Sequence, residues 1–196
     1  MKRYLVLSLL VFNSALHSMS LEDLVHTKGL IKTGSLSGDQ KLLEQCLKRS
    51  VELRNPDFIK FFAAKGAKPN NIMINEIPVL TALVTQMEEN SIFVYQEKKD
   101  RATQAFIALL EAKANPDLGA PLKKLMTREY YNNYLHVCEV VEALLKAGVN
   151  KEGINFNSIS SDVNGFYFNK DERFDKSTFE KLLVILRQHS VEVPNT

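Results

Sequence analysis

The feature that most constrains the fold of this 196-residue chain is a helix-and-turn pattern that returns several times. Residues 55–70 read NPDFIKFFAAKGAKPN, in which Asn55 caps an amphipathic helix and Gly66 supplies the left-handed residue that ends one. Similar stretches, RATQAFIALLEAKANPD and CEVVEALLKAGVN, follow at residues 101–117 and 138–150. A single helix pair of this size cannot bury its apolar side, whereas stacked neighbours can. The pattern therefore predicts a repeat protein.

A fourth copy begins at Ser177, where STFE is a capping box, and ends near Ser190. The four helix ends, at Gly66, Lys113, Gly148 and Ser190, are separated by 47, 35 and 42 residues. These spacings lie in the range of helical-repeat arrays. A non-glycine residue in the left-handed conformation costs about 1 kcal/mol. We therefore expect Lys113 to be strained or to adopt another conformation.

Each helix end is followed by another apolar stretch with proline in its first turn. These stretches are IPVLTALV at residues 77–84 and APLKKLM at residues 120–126. The expected unit is an antiparallel helix pair, and the expected fold class is all-α with negligible strand content. The alternative is an unrelated bundle of seven or eight helices, because leucine stripes that end in glycine occur in any all-helical protein.

The unit resembles an ankyrin repeat, a family whose first helix follows TPLHxAA and whose second helix resembles EIVKLLLEKGADPN. Residues 57–70 match the second pattern closely, and residues 139–150 match it nearly as well. Neither first helix keeps the histidine, since Leu80 and Lys123 stand in its place. The resemblance implies a degenerate ankyrin-like solenoid of stacked antiparallel helix pairs over residues 40–196.

Residues 1–20 have the layout of a secretory signal peptide: a basic start, an apolar run at residues 4–12, and then small polar residues. The run is too short to span a bilayer as a helix. We expect cleavage after Ser18 or Ser20, a secreted or periplasmic protein, and a linker over residues 21–39. An uncleaved anchor or a buried N-terminal helix is the alternative.

The charge balance argues against nucleic acid as the main partner. Of the 25 basic side chains, Lys2 and Arg3 belong to the expected signal, which leaves 23 against 23 acidic ones. Binding of phosphates requires a concentrated basic face. An even balance does not predict one.

The two cysteines, Cys46 and Cys138, are expected to be free and buried. Each falls inside a predicted helix, and the two are about two repeats apart. A disulfide requires the α-carbons to lie within about 7 Å of each other. The chain is therefore not expected to be a disulfide-stapled scaffold.

The sequence contains no group of residues that predicts catalysis. It has no glycine-rich phosphate loop, nucleophile elbow or paired metal motif. His136 and Cys138 are two residues apart, so they point to different sides of a helix and do not share a metal. We expect no enzyme activity, no cofactor and no metal. A small enzyme on a helical scaffold and an envelope-anchored structural protein are the alternatives.

The family resemblance implies that a protein partner is bound by the loop tips and by the concave face of the first helices. We expect a non-catalytic, monomeric interaction module that binds neither nucleic acid nor, after signal removal, a membrane. The sequence does not identify the partner, and it leaves the oligomeric state open. The candidate partner-binding residues, carried over by position, are Lys68, Asn70, Asn71, Met73, Asp117, Leu118, Asn150, Lys151, Asn155 and Phe156.

Three aromatic residues, Phe166, Tyr167 and Phe168, lie in the polar segment at residues 161–176. Their packing beneath the last repeat as a cap is the favoured interpretation. Exposure as a contact patch is the alternative, because exposed apolar clusters mark interaction sites.

Overall fold

The structure is a computed structural model. It describes residues 20–34, 39–89, 96–126, 136–152, 154, 176–189 and 191. Four expectations fall outside these residues: the signal sequence at residues 1–19, the aromatic segment at 161–175, the helix end at Ser190, and the loop residues Asn155 and Phe156.

The described residues form eight α-helices, one 3₁₀ turn and one antiparallel pair of strands, which confirms the all-α class. Within them, none of the helices combines the length and the hydropathy needed to cross a bilayer. In chain order the elements are α1 (Leu21–Lys32), α2 (Gln40–Glu52), α3 (Pro56–Ala64), the 3₁₀ turn (Pro69–Asn71), β1 (Met73–Ile74), β2 (Ile77–Pro78), α4 (Val79–Glu89), α5 (Gln96–Glu111), α6 (Pro121–Leu125), α7 (Val137–Lys146) and α8 (Lys176–Gln188).

Six of the eight described helices pack in consecutive pairs, and each pair contacts the next. Helix α2 lies against α3, α4 against α5, and α6 against α7. Between pairs, α3 contacts α5, α5 contacts α7, and α7 contacts α8, while α4 contacts α6. The second helix of each pair therefore lies beside the second helix of the next pair.

The core lies between these helices and repeats in register from one second helix to the next. Side chains four and seven residues before each helix end share a helical face. At these positions the structure has fully buried apolar residues. Phe62, Leu109 and Leu144 lie four residues before the helix end, and Ile59, Phe106 and Val141 lie seven residues before it. Full burial of a side chain of this kind contributes about 1.5–3 kcal/mol.

The turns that end α3, α5 and α7 have the same geometry. Gly66, Lys113 and Gly148 have φ values of 107°, 66° and 81°. The next backbone N–H then donates to a carbonyl five residues earlier, as Ala67 does to Phe62 O at 3.1 Å. This bond is the mark of a Schellman motif, and it also ends α2 and α8. Lys113 therefore adopts the left-handed conformation that was expected to cost energy.

The exit from α3 forms a β-hairpin of two two-residue strands, which the sequence did not locate. Met73–Ile74 pairs with Ile77–Pro78, and the turn between them has Asn75 and Glu76 at φ values of 50° and 65°. Two successive left-handed residues are typical of the type I′ turn, whose twist suits a two-residue hairpin. Because the proline is taken up by the strand, α4 begins only at Val79.

The linker expected at residues 21–39 is instead a helix, α1, over most of its length. The Oγ of Ser20 accepts from the Asp23 N–H at 3.2 Å, and the Ser20 N–H donates to Asp23 Oδ2 at 2.7 Å. This capping box lowers the pKa of the Asp23 carboxyl. Leu24 and Ile31 are buried and belong to the same core as the other helices. Residues 21–32 are therefore part of the fold.

A lysine fixes α1 against α3. The Nζ of Lys28 lies 5.0 Å from the ring centroid of Phe58 and 5.1 Å from that of Phe61. A cation over an aromatic ring contributes about 0.5–1 kcal/mol at a partly exposed site. The N-terminal helix is thus held by both apolar burial and cation–π contact.

The structure confirms that Cys46 and Cys138 are buried and are not joined in a disulfide. Burial raises the pKa of the Cys46 thiol to about 12 and that of Cys138 to about 11. Thiol reagents react with the thiolate, which is scarce at such pKa values.

We expect the helix-end turns to respond in opposite directions to a matched pair of substitutions. Gly148→Ala should lower the free energy of unfolding by about 1 kcal/mol, because alanine is strained at positive φ. An added Cβ there meets no atom within 4 Å, so strain is the only cost. Lys113→Gly should raise the free energy of unfolding by about 0.5 kcal/mol, since it relieves the same strain. Urea denaturation followed by circular dichroism measures both, and a loss of stability in Lys113→Gly would contradict the shared geometry.

We expect neither thiol to react with a disulfide reagent in the folded protein at about pH 8, because both side chains are buried and protonated. Both should react at once in denaturant. The number of reactive thiols is measured from the chromophore that the reagent releases, before and after unfolding. Rapid modification of a folded thiol would contradict its burial.

Candidate interaction surface

Three loops follow the ends of α3, α5 and α7. We call them loop 1 (residues 67–78), loop 2 (residues 114–120) and loop 3 (residues 149–152). Loop 1 contains the 3₁₀ turn and the hairpin, whereas loops 2 and 3 are shorter. Because the three helices that precede them lie side by side, the loops are also neighbours.

A side-chain oxygen on one loop holds the backbone of the next. Asn70 Oδ1 in loop 1 accepts a hydrogen bond from the backbone N–H of Asn115 in loop 2 at 2.6 Å. Asp117 Oδ1 in loop 2 accepts from the N–H of Asn150 in loop 3, also at 2.6 Å. Both acceptors stand four residues after the left-handed helix end, and both donors stand two residues after it. The same bond, used twice, therefore fastens the loops in register.

The loops also carry local bonds that preset their shape. Asn115 Oδ1 accepts from the Asp117 N–H at 3.0 Å, and Asn150 Oδ1 accepts from the Glu152 N–H at 2.9 Å. An asparagine that bonds the backbone two residues further on forms an Asx turn. In loop 2 this turn orients the residue that reaches loop 3.

The outer loops are anchored to flanking helices. In loop 1, Asn71 Nδ2 donates to Glu44 Oε1 of α2 at 2.7 Å. In loop 3, Lys151 Nζ donates to the carbonyl of His189, which follows α8, at 2.9 Å. The row of loops is therefore fastened at both ends.

Loop 2 lies directly on α4. Gly119 has φ of 78°, and a Cβ on it would collide with Thr81 Oγ1. Thr81 Oγ1 donates to the carbonyl of Leu118 at 3.3 Å. Glycine is required here both for the left-handed backbone and for the close approach.

The loops expose two large apolar side chains. The side chain of Met73 is 43% exposed and that of Leu118 is 36% exposed. Met73 is paired with Pro78 across the hairpin, and a Cβ on Gly119 would lie 3.1 Å from Pro78 Cγ. Leu118 precedes that glycine, so both exposed residues are next to residues of this contact in pairing or in sequence. We call Met73, Pro78 and Leu118 the loop-tip patch.

The second helices carry paired charges on their exposed sides instead. Lys60 of α3 and Glu111 of α5 form an ion pair at 2.9 Å, and the hydrogen bond that Lys60 donates to Glu111 raises the pKa of Lys60. Glu142 and Lys146 are paired within α7, and that bond lowers the pKa of Glu142. Exposed pairs of this kind contribute little stability. These pairs indicate that this side of the second helices faces solvent.

The candidate residues fall into three groups. Three are exposed on the loops, and their side chains form no hydrogen bond with another described residue, namely Lys68, Met73 and Leu118. Five use their side chains in bonds within the molecule, namely Asn70, Asn71, Asp117, Asn150 and Lys151. The remaining two, Asn155 and Phe156, lie outside the described residues.

Sequence reasoning missed the tip of the hairpin, where Asn75 and Glu76 are exposed in the turn. The signal that could have indicated this turn is Asn75, because asparagine tolerates positive φ. It stands between two short stretches that each contain an isoleucine, Met73–Ile74 and Ile77–Pro78. Sequence reasoning also missed the packing role of Gly119.

The described residues show no cluster suited to a metal. Nowhere among them do three or more histidine, cysteine, aspartate or glutamate side chains come together to hold an ion.

No family model, curated protein or solved structure matches the chain. The functional argument therefore rests on the contacts of the loops and on the side chains that they expose.

We expect Asp117→Ala to lower the free energy of unfolding by about 1 kcal/mol, because the N–H of Asn150 loses its acceptor. Asp117→Asn is the matched control, since its amide oxygen can still accept, as the oxygen of Asn70 does in loop 1. Hydrogen exchange should show faster exchange at the Asn150 amide in the alanine variant only. Equal exchange in the two variants would show that this side chain does not hold loop 3.

Proposed function

We propose that the chain is a non-catalytic protein-interaction module, built as an ankyrin-like stack of helix pairs, that binds a protein partner through its loop tips. The observation that carries the proposal is the loop-tip patch. Met73 and Leu118 are exposed on loops whose positions are fixed by hydrogen bonds between layers.

The order of helix contacts supports a linear stack. Contacts run from α3 to α5, from α5 to α7 and from α7 to α8, in the order of the chain. The left-handed helix end, the buried positions before it and the bond from loop to loop all recur at the same steps. A bundle around one central core has no reason to repeat these three features together.

The fixed loops favour binding because their ordering cost has already been met in folding. A partner that contacts a mobile loop loses affinity in ordering it, whereas a preorganised loop avoids that loss. Methionine is well suited to such a surface because its unbranched side chain adapts to different partners. An apolar tip with a polar surround is typical of the centre and rim of an interface.

The proposal includes export. Its support is the layout of residues 1–20, with a basic start, a short apolar run and small residues before α1. A module of this kind would act on a partner in the periplasm or outside the cell.

We expect substitution of the loop-tip patch to weaken partner binding without unfolding the protein. The double variant Met73→Ala and Leu118→Ala should raise the dissociation constant for a captured partner at least about tenfold, since it removes more than about 1.4 kcal/mol of contact. Both side chains are at the surface, so the free energy of unfolding should change by less than about 0.5 kcal/mol. Affinity capture with the wild-type chain, followed by titration calorimetry on the captured protein, measures the effect.

Val184→Ala is the matched control, because Val184 is another exposed apolar side chain, on α8 and not on a loop. It should leave the dissociation constant unchanged. If the loop-tip variant and the control lost binding equally, or if the loop-tip variant bound normally, the loops would not be the binding surface.

A further inference from the structure

The outward side of α1 carries an apolar stripe. Leu21 is 50% exposed and Val25 is 56% exposed, although both are large apolar residues. Gly29 is also exposed and follows four residues after Val25, so the three share one side of the helix. We call Leu21, Val25 and Gly29 the α1 stripe.

The side of α1 next to the stripe is already used, since Leu24 and Lys28 stand three residues after Leu21 and Val25. Leu24 and Ile31 are buried in the core, and Lys28 lies over the two phenylalanine rings of α3. The apolar stripe is therefore additional to what α1 needs for its own packing.

We propose that the α1 stripe packs against the α1 stripe of a second copy of this chain, in antiparallel orientation, to form a two-fold symmetric dimer. The monomer expected from the sequence is thereby replaced by a weak homodimer. The proposal does not depend on partner binding at the loops, since it uses a different surface.

Charge selects the antiparallel orientation. The first turn of α1 is acidic, with Glu22 and Asp23, and its last turn has the basic Lys32. A parallel pair would place like charges side by side, whereas an antiparallel pair places the acidic end of one copy beside the basic end of the other. Side chains on a helix lean towards its N-terminus, so Lys32 of one copy and Glu22 of the other lean towards each other.

Shape is compatible with the same arrangement. A Cβ placed on Gly29 would meet no atom within 4 Å, so the space above this residue is open. In the antiparallel pair centred near Val25, the side chain of Leu21 from one copy lies close to Gly29 of the other. A large residue opposite a glycine allows the two helices to approach closely.

The expected dimer is weak. One face of a 12-residue helix falls at the low end of protein interfaces, below about 1,200 Å² in total. Such interfaces are typically transient. The oligomeric state should therefore depend on concentration.

The first experiment is sedimentation equilibrium of the chain purified from an exporting host, over roughly 10 to 500 μM, a range that spans a micromolar dissociation constant. We expect a monomer–dimer equilibrium. Val25→Asp should raise the dissociation constant at least about tenfold, because it buries a charge without a partner. Val184→Asp on α8 is the matched control and should change nothing. Circular dichroism confirms that both variants fold.

The second experiment tests the orientation. Val25→Cys lies near the proposed two-fold axis, so mild oxidation should give a covalent dimer, while Cys46 and Cys138 are buried and stay reduced. Val184→Cys should not form one. Glu22→Lys should weaken the dimer, and the double variant Glu22→Lys with Lys32→Glu should restore it.

Three outcomes would overturn the proposal. They are a wild-type chain that stays monomeric over the whole range, a dimer that Val25→Asp leaves intact, and equal cross-linking at positions 25 and 184. The first outcome would indicate that the residues before Ser20, or nothing at all, cover the stripe. Loss of partner binding in the loop-tip variant is measured separately, so failure of one proposal is distinguishable from failure of the other.

Discussion

The burial of α5 depends on helices from two neighbouring pairs as well as on its own partner. It contacts α4 within its pair, α3 before it and α7 after it. Its fully buried residues, Phe106 and Leu109, lie seven and four residues before the helix end, as Ile59 and Phe62 do in α3. Because these helices are short, none of them could cover its apolar stripe alone. The neighbouring pairs are therefore a condition for the stability of each pair, and a substitution in one layer should be felt in the next.

The left-handed residue at each helix end fixes the position of the loop that follows it. It sets the residue two steps on as the donor and the residue four steps on as the acceptor of the bond to the next loop. Lys113 takes up this conformation although glycine would do so at lower energy. The strain is tolerated because the two flanking turns and their hydrogen bonds determine the path of the chain.

The sequence predicted the parts of the fold that depend on short-range periodicity. Apolar residues at helical spacing and a glycine at the helix end located α3 and α7 and their buried faces. The hairpin was missed because two-residue strands are too short to show an alternating pattern, and its turn uses Asn75 and Glu76 in place of glycine. Helix α1 was missed because it is apolar on two sides, so no single stripe stands out. Its capping box, Ser20 with Asp23, was the one signal available.

The candidate surface was predictable only in part, because position in a loop does not tell which side chains are already in use. Asn70 was chosen for its place at a loop tip, but its oxygen is bonded to a residue 45 positions away, and no local pattern reveals such a partner. The bond has a consequence for recognition. A side chain that fastens one loop to the next cannot turn towards a partner without releasing the loop. Met73 and Leu118 take part in the frame only through their backbones, so their side chains are the ones that can change with the partner while the hydrogen bonds stay the same.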